Sequence, residues 1–119
     1  MKIAITVKSP DKNAEVDPRF GRAANFCIYD TETTEFDFVS NSQSLDSASG
    51  AGVQAAKTVI DQGAAVLLTG HCGPKAFKAL MAAEVEIYVN VTGTIAEAIE
   101  LFQQEKLEKA DTADVEGHW

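Results

Sequence analysis

The sequence predicts a single α/β domain with a mixed five-stranded sheet flanked by helices, in the order β-β-β-α-β-α-β-α. Three observations carry this prediction. Residues 25–40 hold two short runs, "NFCIYD" and "EFDFVS", joined by "TETT", which is the pattern of a hairpin. Residues 64–69, "AAVLLT", form a continuous apolar run, the mark of a strand buried on both faces. From Val53 onward helical and strand patterns alternate, which implies right-handed crossovers and mostly parallel strands.

Each element has its own signal. "KIAITV" places Ile3, Ile5 and Val7 on one face and reads as a core strand. "SPDKNAEVDPRFGRA" is polar, contains two prolines and reads as a loop. After the hairpin, "NSQSLDSASGAG" is a Ser- and Gly-rich loop. Val53, Ala56, Val59 and Ile60 then recur at helical spacing, with Gly63 as the stop. A helix opening at Pro74 puts Phe77, Leu80 and Met81 on one face. "VEIYVN" is a further strand. "TIAEAIELFQQE" is a helix with Thr94 as its cap and Glu97 three residues on, as in a capping box. The domain is expected to occupy residues 1–107, with residues 108–119 as an acidic tail.

Composition narrows the function. A chain of 119 residues supports one core and not two. No apolar run approaches the roughly 20 residues that span a bilayer, so a membrane partner is not expected and a cytoplasmic location is the default. Two cysteines, Cys27 and Cys72, are too few for a disulfide framework. The net charge of −8 argues against a nucleic-acid partner. The charge is uneven: residues 1–78 carry eight Lys and Arg against nine Asp and Glu, and residues 79–119 carry two against nine. An anionic ligand is therefore expected in the first two thirds, near Arg19, Arg22, Lys75 and Lys78.

Two stretches stand out. In "TGHCGPKAF", Gly70 and Gly73 permit positive φ and close approach, and Pro74 suits a first helical position. The amides of that first turn make an anion site, and Lys75 opposes the helix dipole unless something negative binds there. His71 and Cys72 raise the questions of a metal and of a reactive thiol. Zinc needs four ligands, and the chain offers two Cys and two His, one of them His118 in the expected tail. Cys27, in mid-strand, reads as a small core hydrophobe. A thiol at a helix N-terminus would be activated, but no second cysteine stands at Cys-x-x-Cys spacing. His71 and Cys72 remain optional soft contacts for a metal.

In "VDPRFGRAANF", Arg19 and Arg22 flank Phe20 and Gly21. The arginines either grip an anion with forked donors or pair with Asp17, Asp30 or other carboxylates. Phe20 is expected to close the core. Gly50 and Gly52 open a helix without the Gly-Lys-Ser/Thr that ATP hydrolysis requires.

Taken in order, "MKIAITV", "VDPRFGRAANFCIYD", Asn41, "GAGVQAAKTVIDQGA", "TGHCGPKAF" and "AEVEIYVNVTGTIAEAI" resemble the dinitrogenase iron–molybdenum cofactor biosynthesis family over residues 1–107. This is the small domain typified by NifX, NafY and the C-terminal part of NifB, and the chain looks closest to its free-standing members. The resemblance implies a ribonuclease H-like fold and a non-enzymatic carrier of a metal–sulfur cluster, either a molybdenum–copper sulfide or an iron–molybdenum type. It also implies a noncovalent site made of Arg19, Phe20, Gly21 and Arg22, Asn41, Gly50 and Gly52, and Gly70 to Lys75, with Phe20 as an apolar wall. Nuclease chemistry is not expected, because "KIAITV" lacks the carboxylates that hold two metals. A protein that accepts or delivers the cluster would be a partner. The alternative is a regulatory or adaptor domain that binds a small anion or a protein without metal.

Overall fold

The computed structural model describes residues 1–41 and 51–111. They form β1 (Lys2–Val7), β2 (Asn25–Asp30), β3 (Phe36–Ser40), α1 (Ala51–Asp61), β4 (Ala64–Leu68), α2 (Pro74–Ala82), β5 (Glu86–Val89), α3 (Ile95–Gln103) and β6 (Glu108–Lys109). The strands make one sheet of order β3-β2-β1-β4-β5-β6. β4 runs parallel to β1 and β5 to β4, whereas β2 is antiparallel to both β1 and β3. Among the described residues, no helix is long and apolar enough to cross a membrane.

The sheet therefore has six strands and not the five expected. The sixth lies in the stretch expected to be a tail. Two charged residues carry no apolar alternation, so nothing local announces them. β6 forms because Lys109 pairs with Tyr88 and Glu108 with Val89 across an antiparallel register. Ala110 N–H donates to Ile87 O at 2.8 Å just beyond, and Ala110 is buried.

Strand alternation divides the core in two. Ala4, Phe26, Ile28, Leu67 and Ile87 face the layer of α1 and α2, where they meet Ala55, Val59, Phe77 and Leu80. Ile3, Ile5, Val7, Cys27, Val66 and Leu68 face α3, through Ile95, Ala98 and Ile99. Each aliphatic chain so buried contributes about 1.5–3 kcal/mol. Cys27 belongs to the second layer and Cys72 to the first, so the sheet separates the two thiols.

The strand directions give the sheet a common end. Because β2 is antiparallel to its neighbours, β1, β3, β4 and β5 all point the same way. Val7, Ser40, Leu68 and Val89 end at one edge of the sheet, and β2 starts there at Asn25. The segments after β1, β3, β4 and β5 thus leave from a common end.

Candidate functional site

The segment between β1 and β2 is the hub of that end. Val16 bridges to Val7, and Asp17 N–H donates to Thr6 O at 2.8 Å. On one side, Val16 N–H donates to Gly93 O at 2.9 Å and Ile95 N–H to Ala14 O at 3.1 Å. On the other, His71 N–H donates to Pro18 O at 2.7 Å and Phe20 N–H to His71 O at 3.2 Å, forming a parallel bridge between Arg19 and His71. The two stretches singled out in the sequence are stitched together.

Two threonines fix the hub from below. Thr6 Oγ1 donates to Asp17 O at 2.7 Å and lies 2.9 Å from Thr69 Oγ1, both hydroxyls being fully buried. Buried hydroxyls of this kind are stable only when paired. They stand between β1 and β4, where the chain order of the sheet reverses and α/β folds bind ligands. Here the crevice is filled by the protein itself. A Cβ on Gly70 would lie 2.5 Å from Pro18 Cα and 2.6 Å from Pro18 O, so only glycine lets the hub pass. Any ligand is therefore directed outward, onto the rim.

The rim residues follow from alternation. Phe20 and Cys72 are both fully buried in the α1/α2 layer, so Arg19 and His71, their neighbours on the paired segments, belong to the opposite side. Arg19 is half exposed, and its Nε lies 3.9 Å from Asp17 Oδ1, which also accepts its backbone N–H at 2.9 Å. That pairing was one of the two readings of the sequence. At this distance and exposure it is weak and leaves the outer edge of the guanidinium for a ligand. Arg22 is exposed, and no carboxylate among the described residues pairs with it.

At α2, Pro74 takes the first turn and Gly73 the N-cap, with no side chain capping the helix. Its first amides face the rim uncapped. Lys75 is exposed in a first turn that holds no acidic residue. Gly73 has φ −75°, and among the described residues the glycines with positive φ are Gly63 and Gly93. Neither Gly70 nor Gly73 uses the positive φ that glycine permits, and Gly70 is required by the close approach of Pro18. Gly21 is buried in the turn before β2.

Asn41 lies at the same end. It is 1% exposed, its Nδ2 donates to Ala23 O at 2.8 Å and its N–H to Ala24 O at 2.9 Å. Its Oδ1 is buried without a partner among the described residues. Gly52 lies inside α1 and packs on Ala76, where a Cβ would come within 3.3 Å of Ala76 Cβ, so it serves helix packing. Gly50 lies outside the described residues.

The donor set decides the chemistry. No group of three His, Cys, Asp or Glu side chains capable of holding a metal ion occurs among the described residues. Cys72 is shielded, its Sγ 3.8 Å from Gly73 O, and a reactive thiol needs exposure. Burial first, and Asp37 second, push the Cys27 thiol up to about 12, which makes it inert. Phe20 is behind the rim and not a wall upon it. What the rim offers is cationic forks, an ammonium and amides, a set suited to an anion. Thr6, Pro18 and Thr69 escaped the sequence reading, and Asp17 entered it only as a partner for the arginines. The only local sign was a threonine at the end of each of two apolar strands.

Comparison with known proteins gives a consistent picture. Residues 1–105 match the family model described as dinitrogenase iron-molybdenum cofactor. The apo form of the orange protein from Desulfovibrio gigas superposes with a TM-score of 0.92 at 39% identity, over 96% of each chain. The NMR structure of a Thermotoga protein provisionally assigned as NifB gives 0.83 at 34% identity, over 98% of each. An uncharacterised protein of Methanocaldococcus jannaschii is 30% identical over 92% of this chain and 91% of its own.

Proposed function

The chain belongs to the dinitrogenase iron-molybdenum cofactor family, and from that membership we propose that it is a non-catalytic carrier whose cargo is an anionic metal–sulfur cluster. The observation that carries this reading is the pairing of Arg19 with His71, which brings the two unusual segments of the sequence into one rim. Arg19, Arg22, Lys75 and the uncapped amides of α2 supply positive potential there. The fork of an arginine suits the broad face of a polyanion, and a helix N-terminus adds backbone donors.

The site residues proposed are Arg19, Arg22, Asn41 and the turn from Gly70 to Lys75, with Phe20, Gly21 and Cys72 as the packing beneath them. The cargo is held without protein–metal bonds. Its sulfides accept the hydrogen bonds, and its charge is matched by the two guanidiniums and Lys75. Of the two cargoes that the family resemblance implies, a molybdenum–copper sulfide cluster is the form proposed, with an iron–molybdenum type as the second reading. Delivery to an acceptor protein completes the role.

Reconstitution tests this. Metal-free protein is mixed anaerobically with Cu(II) and tetrathiomolybdate and desalted, and its visible spectrum and metal content are recorded. A retained chromophore with a fixed molybdenum-to-copper ratio per chain is expected. A colourless, metal-free protein would overturn the reading.

A further inference from the structure

We propose that Asn90 is a positioning residue for the turn that begins at Gly70, and that β6 is the strap that holds Asn90 in place; this rests on the carrier reading of the rim. Asn90 follows β5 directly and has φ 59°, a left-handed conformation that asparagine tolerates better than most residues. Its two donors serve different parts of the chain. The main-chain N–H donates to Gly70 O at 2.8 Å, and the side-chain Nδ2 donates to Glu108 Oε2 at 2.9 Å. One residue therefore ties the ligand turn to the last strand.

β6 is the weakest member of the sheet. It has two residues, both exposed, at the outer edge. Besides the backbone and the Asn90 bond it has, among the described residues, one ion pair, Lys109 Nζ to Glu86 Oε1 at 3.0 Å, and exposed pairs add little. Ala110 anchors its far side by the bond to Ile87 O. Short, exposed edge elements open before the fold as a whole does. When β6 opens, the side chain of Asn90 loses its anchor. The backbone of Asn90 then keeps its unfavourable φ with the Gly70 bond and the adjacent bond from Val91 N–H to Thr69 O at 3.1 Å to hold it. With β6 shut, Gly70 is fixed on both sides, by Asn90 here and by Pro18 across the crevice. With β6 open, the turn presenting His71 and the amides of α2 loosens, and cargo leaves faster.

The test separates the strap from the carrier reading. Amide hydrogen exchange is measured on the metal-free protein, and tetrathiomolybdate dissociation on the loaded one. The variants are Glu108→Ala and Glu108→Gln, the second keeping an acceptor oxygen for Asn90. In Glu108→Ala, exchange at the Asn90 and His71 amides should rise roughly threefold to tenfold, the effect of one lost hydrogen bond. Dissociation should quicken by a similar factor, and Glu108→Gln should restore both. Exchange that rises at Ala110 alone would overturn the proposal, and so would unchanged exchange or a failure of Glu108→Gln to rescue. Failure of the unaltered protein to bind tetrathiomolybdate would instead strike the carrier reading, with the exchange data still deciding whether β6 restrains Asn90.

Discussion

Gly70 and Pro18 pack so closely that a Cβ on the glycine would lie 2.5 Å from the Pro18 Cα. The obstructing atoms are backbone, which cannot rotate away. Gly70→Ala must therefore push the hub off β4, at about 1–3 kcal/mol for overpacking. It must also disturb the bonds from His71 N–H to Pro18 O and from Phe20 N–H to His71 O. Urea denaturation should show the lowered midpoint, and tetrathiomolybdate affinity should fall as well. A variant with native stability and affinity would mean that the hub is free to shift.

Arg19 and Arg22 should act on binding and not on folding. Both are exposed, and the Arg19–Asp17 contact is long. Arg19→Ala combined with Arg22→Ala should weaken tetrathiomolybdate binding by roughly tenfold to a hundredfold, on the scale of one or two charge-assisted bonds. The melting temperature should stay within a degree or two. Rising salt should weaken the unaltered protein more than the double variant.

Cys72→Ser is expected to act through the core. The thiol is fully buried in the same core layer as Phe20, so a hydroxyl there loses packing and needs a partner. A loss of about 1–3 kcal/mol in stability should accompany a partial loss of binding. Complete loss of cargo from a fully stable variant would make Cys72 a ligand.

The Cys27 thiol gives a pH prediction. Burial holds it at about 12 in the fold against 9.0 when exposed. The unfolded chain thus gives up this proton at lower pH than the folded one does. Stability should therefore be complete below pH 9 and fall steadily as pH rises toward about 12. Cys27→Ala should flatten that part of the profile in a urea series at fixed pH values, and an unchanged slope would contradict the burial.

Helix α3 offers an opposite sign. Thr94 N–H donates to Glu97 Oε1 at 2.9 Å, which holds that carboxyl below its ordinary value, and Glu97 N–H donates back to Thr94 Oγ1. This contribution is present above the ordinary value of 4.5 and is lost as pH falls through the lowered one. Thr94→Ala should cost about 1 kcal/mol at neutral pH. That variant keeps the backbone N–H that holds the carboxylate, so the acid limb is tested by Glu97→Ala, which should flatten it in thermal melts at pH 7 and pH 3.

What the sequence disclosed depends on how local its cause was. The hairpin of β2 and β3, the doubly buried β4 and the Thr94–Glu97 box rest on neighbouring residues, and each was legible. Glu108 and Lys109 form a strand only because β5 offers an open edge, so nothing in the pair could announce it. Gly70 was visible as a glycine, but its reason, Pro18, comes from a distant segment. The same holds for Arg19 beside His71: both were candidates, and only the fold made them partners. Phe20 and Cys72 show the converse, since their place in the motifs says nothing of which way they face. Alternation along the paired segments turned them inward and left Arg19 and His71 to the rim.

The most direct test of the account is where an anionic thiometallate touches the protein. Backbone 1H–15N spectra should be recorded while metal-free protein is titrated with tetrathiomolybdate. The largest shifts are expected on the amides of Arg19 to Ala23, Asn41, Gly70 to Gly73, Lys75 and Ala76. Shifts centred on the β5–β6 edge, or spread evenly over the chain, would contradict it.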